Sequence, residues 1–273
     1  MTTKPAVSRD LILAARKGLL PVSQRAWLGG FGNMLRKELG QWWGTRLGLI
    51  QTLTWVVILN GISTIVMFTE TVSSQELLVE VVQTFLPMSI IAIAIGAVIT
   101  AQGGVVGEKQ LGTAAWVMSK PASRSAFILS KFIAYAVGFG VTAVLIPSVI
   151  FFFAVREWVS ASFPVIPFLM GAGVVVLNLL FYLALTLMLG TLFGSRGPIA
   201  GIGIAIIMGG LLLKGFIPME VMVITPWPLQ DITGGLALQM PMPSIWFVPV
   251  LATGVWIVVM LAVALWRFNR EEF

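Results

Sequence analysis

The sequence contains no cysteine and no histidine. It therefore lacks thiolate and imidazole metal ligands, a cysteine nucleophile and the side chain that most often acts as a base near neutral pH. A Gly-Lys dipeptide is also absent, so the chain has no phosphate-binding P-loop of its own. Most metal and covalent chemistries are thus excluded, and we expect no catalytic residue, no metal and no cofactor in this chain.

Charged residues are also scarce. They make up 10% of the chain, whereas 58% is hydrophobic, and an average soluble domain is about a quarter charged. A bilayer crossing needs roughly 20 apolar residues in a helix. We therefore predict an all-α integral membrane protein with six transmembrane helices, at about residues 47–68, 84–106, 132–155, 167–193, 198–213 and 245–266.

The formal charge of +6 is unevenly distributed over this predicted topology. Of the 17 Lys and Arg residues, only Arg156 and Lys214 fall on the side opposite the N-terminus. Basic residues favour the cytoplasmic side of a membrane. We therefore expect both termini in the cytoplasm and a multi-pass protein of the plasma (cell inner) membrane, with lipids as neighbours and no nucleic-acid partner.

Residues 1–46 form a basic segment before the transmembrane domain, residues 47–273. Within this segment apolar residues recur at helical spacing, whereas Arg36, Lys37, Glu38, Gln41 and Arg46 occupy the other face. This pattern is typical of a helix that lies in the membrane interface. A plain basic flank that orients the first span is the alternative.

Residues 214–244 contain five prolines, too many for a spanning helix, but they are too apolar for a solvated loop. We predict short re-entrant or interfacial helices on the outer side, or else a loosely packed lid.

The main polar stretch between apolar runs is residues 107–131. We expect a short amphipathic helix here with Leu111, Ala114, Ala115 and Met118 near one face, ended by Lys120-Pro121. Ser123 is positioned to cap the third span, with Arg124 and Lys131 near the lipid headgroups.

This stretch resembles a known family. Glu108, Gly112-Thr113, the run Ser119-Lys120-Pro121-Ala122-Ser123-Arg124, and Lys131 resemble the pattern that follows the second span in ATP-binding-cassette permeases of the export type (ABC-2). The resemblance implies a permease subunit that pairs with a second permease, identical or related, and docks on separate cytoplasmic ATPase subunits, which bind the ATP.

In that family, residues 108–119 would match the coupling helix and residues 31–46 the connecting helix. The resemblance assigns ATPase coupling to Glu108, Leu111, Gly112, Thr113, Ala115, Trp116 and Arg124. The chain departs from the family's Leu-Leu pair before the proline turn, since Trp116 to Lys120 stand there.

Polar groups within the spans are candidates for a translocation path: Asn60, Thr64, Asn178 and Thr186. Hydrogen bonding between helices is the alternative role for them. The sequence does not identify a substrate, and a non-transporting membrane anchor or assembly factor that docks a cytoplasmic protein stays open as a second function.

Overall fold

A computed structural model describes residues 27–119, 122–159 and 161–271. Within these ranges the chain is helical and contains no strand. The helices are α1 Phe31–Trp43, α2 Leu47–Thr69, α3 Ser74–Gln110, α4 Thr113–Met118, α5 Arg124–Trp158, α6 Val165–Leu192, α7 Arg196–Leu213, α8 Met219–Met222, α9 Leu229–Ala237 and α10 Phe247–Asn269.

Six of the helices in these ranges, α2, α3, α5, α6, α7 and α10, are long and apolar enough to cross a membrane. The predicted all-α, multi-pass membrane architecture is therefore confirmed.

Helices α3 and α5 begin well before the predicted spans because local caps start them early. Ser73 and Glu76 form a reciprocal capping box at the start of α3, and the Ser123 hydroxyl accepts from the Ala126 N–H at the start of α5. The prediction that Ser123 caps the third span is confirmed. With 37 and 35 residues, these helices are each about 50–55 Å long and exceed a hydrocarbon core of about 30 Å.

Helix α6 is the centre of the bundle. It is apolar on all sides, as expected of a helix surrounded by others, and it packs against α3, α9 and α10. Asn178 of α6 donates to the Ile90 carbonyl of α3 (2.9 Å), and Thr233 of α9 donates to the Gly171 carbonyl of α6 (2.8 Å). Helices α2 and α7 bury little of their surface within the chain.

Successive spans run in opposite directions, so the bundle has two distinct ends. One end, here the basic end, holds α1, α4, the end of α3, the start of α5 and the end of α10. Contacts of α3 and α5 with the end of α10 show this grouping. The described cations at the basic end are Arg36, Lys37, Arg46, Lys109, Arg124, Lys131, Arg196, Arg267 and Arg270, whereas the opposite end has Arg156 and Lys214.

Two spans contain π-helical segments, Val56–Asn60 in α2 and Gly140–Leu145 in α5. Each segment packs against the α-helical part of the other span. Pro147 follows the second segment and lacks the N–H that an α-helix would use at that position.

The proline-rich region before α10 contains two short helices, α8 and α9. Helix α9 packs against α3 and α6 and buries Leu229 and Ile232. The Trp227 indole donates to the Ile206 carbonyl of α7 (3.0 Å) and covers Gly210, where an added Cβ would lie 2.4 Å from the ring. This region is therefore packed onto the bundle.

Candidate functional site

Helix α1 is docked on α5 through one tryptophan. Trp42 is buried, lies over the bare backbone of Gly138, and makes edge contacts with the rings of Tyr135 (6.1 Å) and Phe139 (5.2 Å). Residues four apart share a helix face, so Glu38 is directed toward the bundle together with Trp42.

Four charged side chains from α1, α3 and α5 meet at this point. The Lys131 Nζ lies 2.8 Å from Glu38 Oε1 and 2.7 Å from Glu108 Oε1. The Lys37 Nζ lies 3.1 Å and 2.7 Å from the same two oxygens. We call these four residues the ion-pair cluster; its formal charges cancel.

The two lysines of the ion-pair cluster differ in their exposure to solvent. The Lys131 side chain is 2% exposed, whereas Lys37 is 50% exposed. A buried ammonium is tolerated only when carboxylates and hydrogen bonds replace its hydration, and the two glutamates do this for Lys131. The cluster therefore fixes α1, α3 and α5 to one another.

The protonation of Lys37 follows from the same contacts. Partial burial lowers its pKa, but the hydrogen bond to Glu108 and the negative charges of Glu38 and Glu108 outweigh this effect. The pKa of Lys37 consequently lies above its ordinary value, so this more exposed lysine of the cluster is charged at neutral pH.

One sequence prediction about these residues is wrong, and the other is not tested by burial. Glu38 was expected on the polar face of α1 but is buried, and Lys131, expected near the headgroups, has a buried side chain. The reason is that each finds its partners on other helices. A lysine inside the apolar run Phe127–Tyr135 was the available signal, because a buried charge requires a partner.

Next to the cluster, the chain reverses in a turn between α3 and α4. Gly112 has a φ of +68°, a conformation that favours glycine, and its N–H donates to the Lys109 carbonyl (3.1 Å). Thr113 Oγ1 donates to the Glu108 carbonyl (3.1 Å). Leu111, at the tip of the turn, is 78% exposed.

The predicted coupling helix is therefore split. Glu108 belongs to the last turn of α3, and Leu111 lies in the turn rather than on a face shared with Ala114 and Ala115. The short helix α4 rests on the bundle through the buried Ala114 and exposes Trp116. The expected stop at Lys120-Pro121 lies outside the described residues.

The end of α10 is tied to the same region. Arg124 Nη1 donates to the Asn269 carbonyl (2.5 Å), and Lys109 forms an ion pair with Glu271 (2.9 Å). Of the residues assigned to coupling, Arg124 is thus placed against α10, while Leu111, Gly112, Thr113 and Trp116 are exposed at the surface.

The candidate path residues are not gathered in one place. Asn178 and Thr186 are buried, and Thr186 donates to the Tyr182 carbonyl of its own helix (2.6 Å). Asn178 lines a cavity of about 20 Å³, room for about one water, and Asn60, Thr64 and Thr186 do not line it. The Asn178 amide donates to a carbonyl of α3, which is the role between helices that the sequence left as the alternative, whereas Thr186 bonds within its own helix.

A comparison with models of protein families assigns the chain to a family. The model described as "Protein of unknown function (DUF2705)" matches residues 46–273. That range contains all six candidate spans of the described chain and includes Glu108, the turn and Lys131, whereas α1 precedes it. A search of the curated proteins finds no match. Since the match covers most of its length, the chain belongs to the DUF2705 family.

Proposed function

We propose that the protein is the membrane-spanning permease subunit of an ATP-driven ABC exporter of the ABC-2 type, with ATP bound and hydrolysed by separate cytoplasmic subunits. The observation that carries the proposal is the exposed turn between α3 and α4, with Leu111 at its tip and the ion-pair cluster directly behind it.

The turn between α3 and α4 has the properties of a docking surface. Leu111 is exposed at the basic end of the bundle, and the exposed ring of Trp116 follows five residues later. Large apolar side chains that cluster beyond the span of a membrane helix are typical of contact surfaces for another protein. A groove on an ATPase subunit would bury both.

The ion-pair cluster can transmit a movement of the turn to several helices. A displacement of the turn moves Glu108, and Glu108 is bonded to Lys131 of α5 and Lys37 of α1. Movement of a docked partner would therefore reach three helices at once instead of bending one loop. Rigid-body motion of packed helices is a common way in which such a signal changes the state of a bundle.

The charge distribution supports the orientation that docking requires. The basic end carries nine of the eleven cations in the described part of the chain, and the positive-inside rule assigns such an end to the cytoplasm. The turn and both chain termini then face the ATPase, in the plasma (cell inner) membrane.

A second permease completes the proposed assembly, either another copy or a related chain. The faces of α2 and α7 that the single chain leaves uncovered are available to lipid or to that partner. A non-transporting anchor would use the same turn but would not require hydrolysis coupled to the complex.

The test is affinity purification of the tagged protein in mild detergent, followed by mass spectrometry and an ATPase assay. We expect a P-loop protein and vanadate-sensitive hydrolysis in the purified complex. Leu111→Asp should weaken the association about thirtyfold or more, as expected when an apolar anchor is lost. Phe216→Asp is the matched control because Phe216 is also highly exposed but lies at the opposite end.

Recovery of the chain without a nucleotide-hydrolysing partner would overturn the proposal. Association that survives Leu111→Asp and falls with Phe216→Asp would move the docking surface to the opposite end. A P-loop partner whose hydrolysis is unchanged by the permease would favour the anchor.

A further inference from the structure

An open apolar groove lies between α5 and α6, on the half of the bundle toward the opposite end. Its volume is about 480 Å³, and it is lined by Gly140, Val144, Leu145, Ser148, Val149, Phe152, Phe153, Val165, Phe168, Leu169, Ala172, Gly173 and Val176. This volume falls within the range of about 300–1,000 Å³ that small-molecule sites occupy.

The sequence explains why the groove exists. The π segment Gly140–Leu145 and Pro147 interrupt the regular α-helix in α5, and the part of α5 beyond them packs against the first span. An added Cβ at Gly140 or Gly173 would meet no atom within 4 Å, so these two glycines leave the floor open. The rings of Phe152 and Phe168, 5.7 Å apart, form part of the wall.

The groove contains one polar side chain, Ser148. It is 8% exposed, and its hydroxyl makes no hydrogen bond within the described part of the chain. Ser63 and Ser89, buried in other spans, each donate to the carbonyl four residues earlier, the usual solution in an apolar environment. The Ser148 hydroxyl is therefore an unused donor that faces the groove.

A cation follows the groove-lining residues of α5 at helical spacing. Arg156 lies four residues after Phe152 and three after Phe153, so it continues the groove-lining stripe of α5 by one turn. It makes no ion pair among the described residues, whereas Lys214, the other described cation of this end, pairs with Asp231. Glu157 is turned about 100° away around the helix.

The depth of Arg156 matches a lipid headgroup. Trp158, two residues further on, is exposed and contacts Phe68 (4.9 Å between ring centroids). Tryptophan at the end of a span is typical of the membrane interface. The groove below Arg156 is then in the hydrocarbon, where its open side meets acyl chains.

We propose that this groove is a binding site for an anionic phospholipid: an acyl chain fills the groove, the phosphate pairs with Arg156, and the Ser148 hydroxyl donates to an ester carbonyl. The parts lie in the order that such a lipid requires, with the cation at the interface and the donor deeper. The backbone positions of Arg156 and Ser148 are about 12 Å apart along the helix axis, and the long arginine side chain, which leans toward the N-terminus of its helix as helical side chains do, shortens the distance that the phosphate and the ester must span. The site stands independently of the transporter proposal.

Native mass spectrometry of the full chain in detergent, titrated with dioleoyl phosphatidylglycerol or dioleoyl phosphatidylcholine, tests the site. We expect tighter binding of phosphatidylglycerol. Arg156→Gln should weaken that binding about fivefold and remove the preference, and Lys214→Gln should leave both unchanged. The lysine is the matched control because it is a cation of the same end that already has a partner.

Filling the groove tests the acyl chain. Gly173→Leu directs a side chain into the open floor and should weaken binding of both lipids about tenfold or more. Gly254→Leu is its control, because Gly254 of α10 also has open space at its Cβ and lies outside the groove. Size-exclusion profiles identify any variant that misfolds, and Ser148→Ala, which keeps the shape, should still lower the affinity.

Equal binding of the two lipids, together with no effect of Gly173→Leu, would overturn the proposal. So would equal losses with Arg156→Gln and Lys214→Gln, since the cation would then act only through the general charge of that end.

Discussion

Lys131 shows what a single charge does inside this bundle. Its ammonium lies between two carboxylates from different helices and is shielded from solvent. Removing one member of a buried ion pair leaves the remaining charges without compensation, and this is more destabilising than the pair is stabilising. The stability of the basic end therefore depends on Lys131 more than on the exposed Lys37.

We predict that Lys131→Met lowers the free energy of unfolding by about 3–5 kcal/mol, because the half-exposed Lys37 is then the one cation of the cluster left to compensate Glu38 and Glu108. Lys37→Met removes the same charge from a half-exposed position and should cost about 1 kcal/mol or less. Thermal unfolding in detergent, followed by loss of the monodisperse species, measures both. Equal effects of the two substitutions would contradict this reading of the cluster.

The sequence could not reveal this cluster fully. Helical periodicity correctly separated an apolar from a polar face of α1, but it placed Glu38 on the polar face because periodicity does not detect partners on other elements. The pair Glu38–Lys131 joins residues 93 positions apart. Glu108 was identified through the family resemblance, and its bonds to Lys131 and Lys37 became visible only in three dimensions.

At the scale of helices, α1 is held by the fit of Trp42 on Gly138. An added Cβ at Gly138 would lie 2.3 Å from the Trp42 ring, and this ring packs against two aromatic rings of α5. Because packed interiors accommodate little extra volume, we infer that the contact between Trp42 and Gly138 holds α1 against the bundle.

We predict that Gly138→Ala loosens α1, whereas Gly140→Ala, two residues along the same span and with open space at its Cβ, leaves it in place. The destabilisation should be about 1–3 kcal/mol, as overpacking usually produces. A Met34→Cys reporter on α1, half-buried in the parent chain, should react faster with a maleimide in the Gly138→Ala background. An unchanged rate of the maleimide reaction would show that the packing of Trp42 on Gly138 does not hold α1 in place.

Element boundaries divide into those that local sequence determines and those that it does not. The capping residues Ser73 and Ser123 are visible in the sequence and set where α3 and α5 begin. The π segments were not predicted, because they form where α2 and α5 pack against each other and no local propensity marks them. The turn at Gly112 is intermediate, since a glycine predicts a turn but not which neighbour it exposes.

For the whole molecule, the number of candidate spans was predictable because the length of an apolar run is a property of the sequence itself. The arrangement of the spans was not. Helix α6 occupies the centre and α2 and α7 the edge, although all three sequences are strongly apolar. The orientation is predicted from the charge distribution, and it decides whether the turn at Leu111 faces the compartment that contains ATP.

Orientation is directly measurable because the chain has no native cysteine, so one introduced thiol is the only reactive one. Thr113→Cys places it on the exposed turn of the basic end, and Glu220→Cys places it on an exposed part of the opposite end. With a membrane-impermeant maleimide on intact cells, we expect strong labelling of the Glu220→Cys chain. The Thr113→Cys chain should react only after the membrane is permeabilised, since fifteen of the seventeen basic residues then lie inside. The reverse pattern would place Leu111 outside, away from ATP, and would exclude the docking on which the proposed transport function depends.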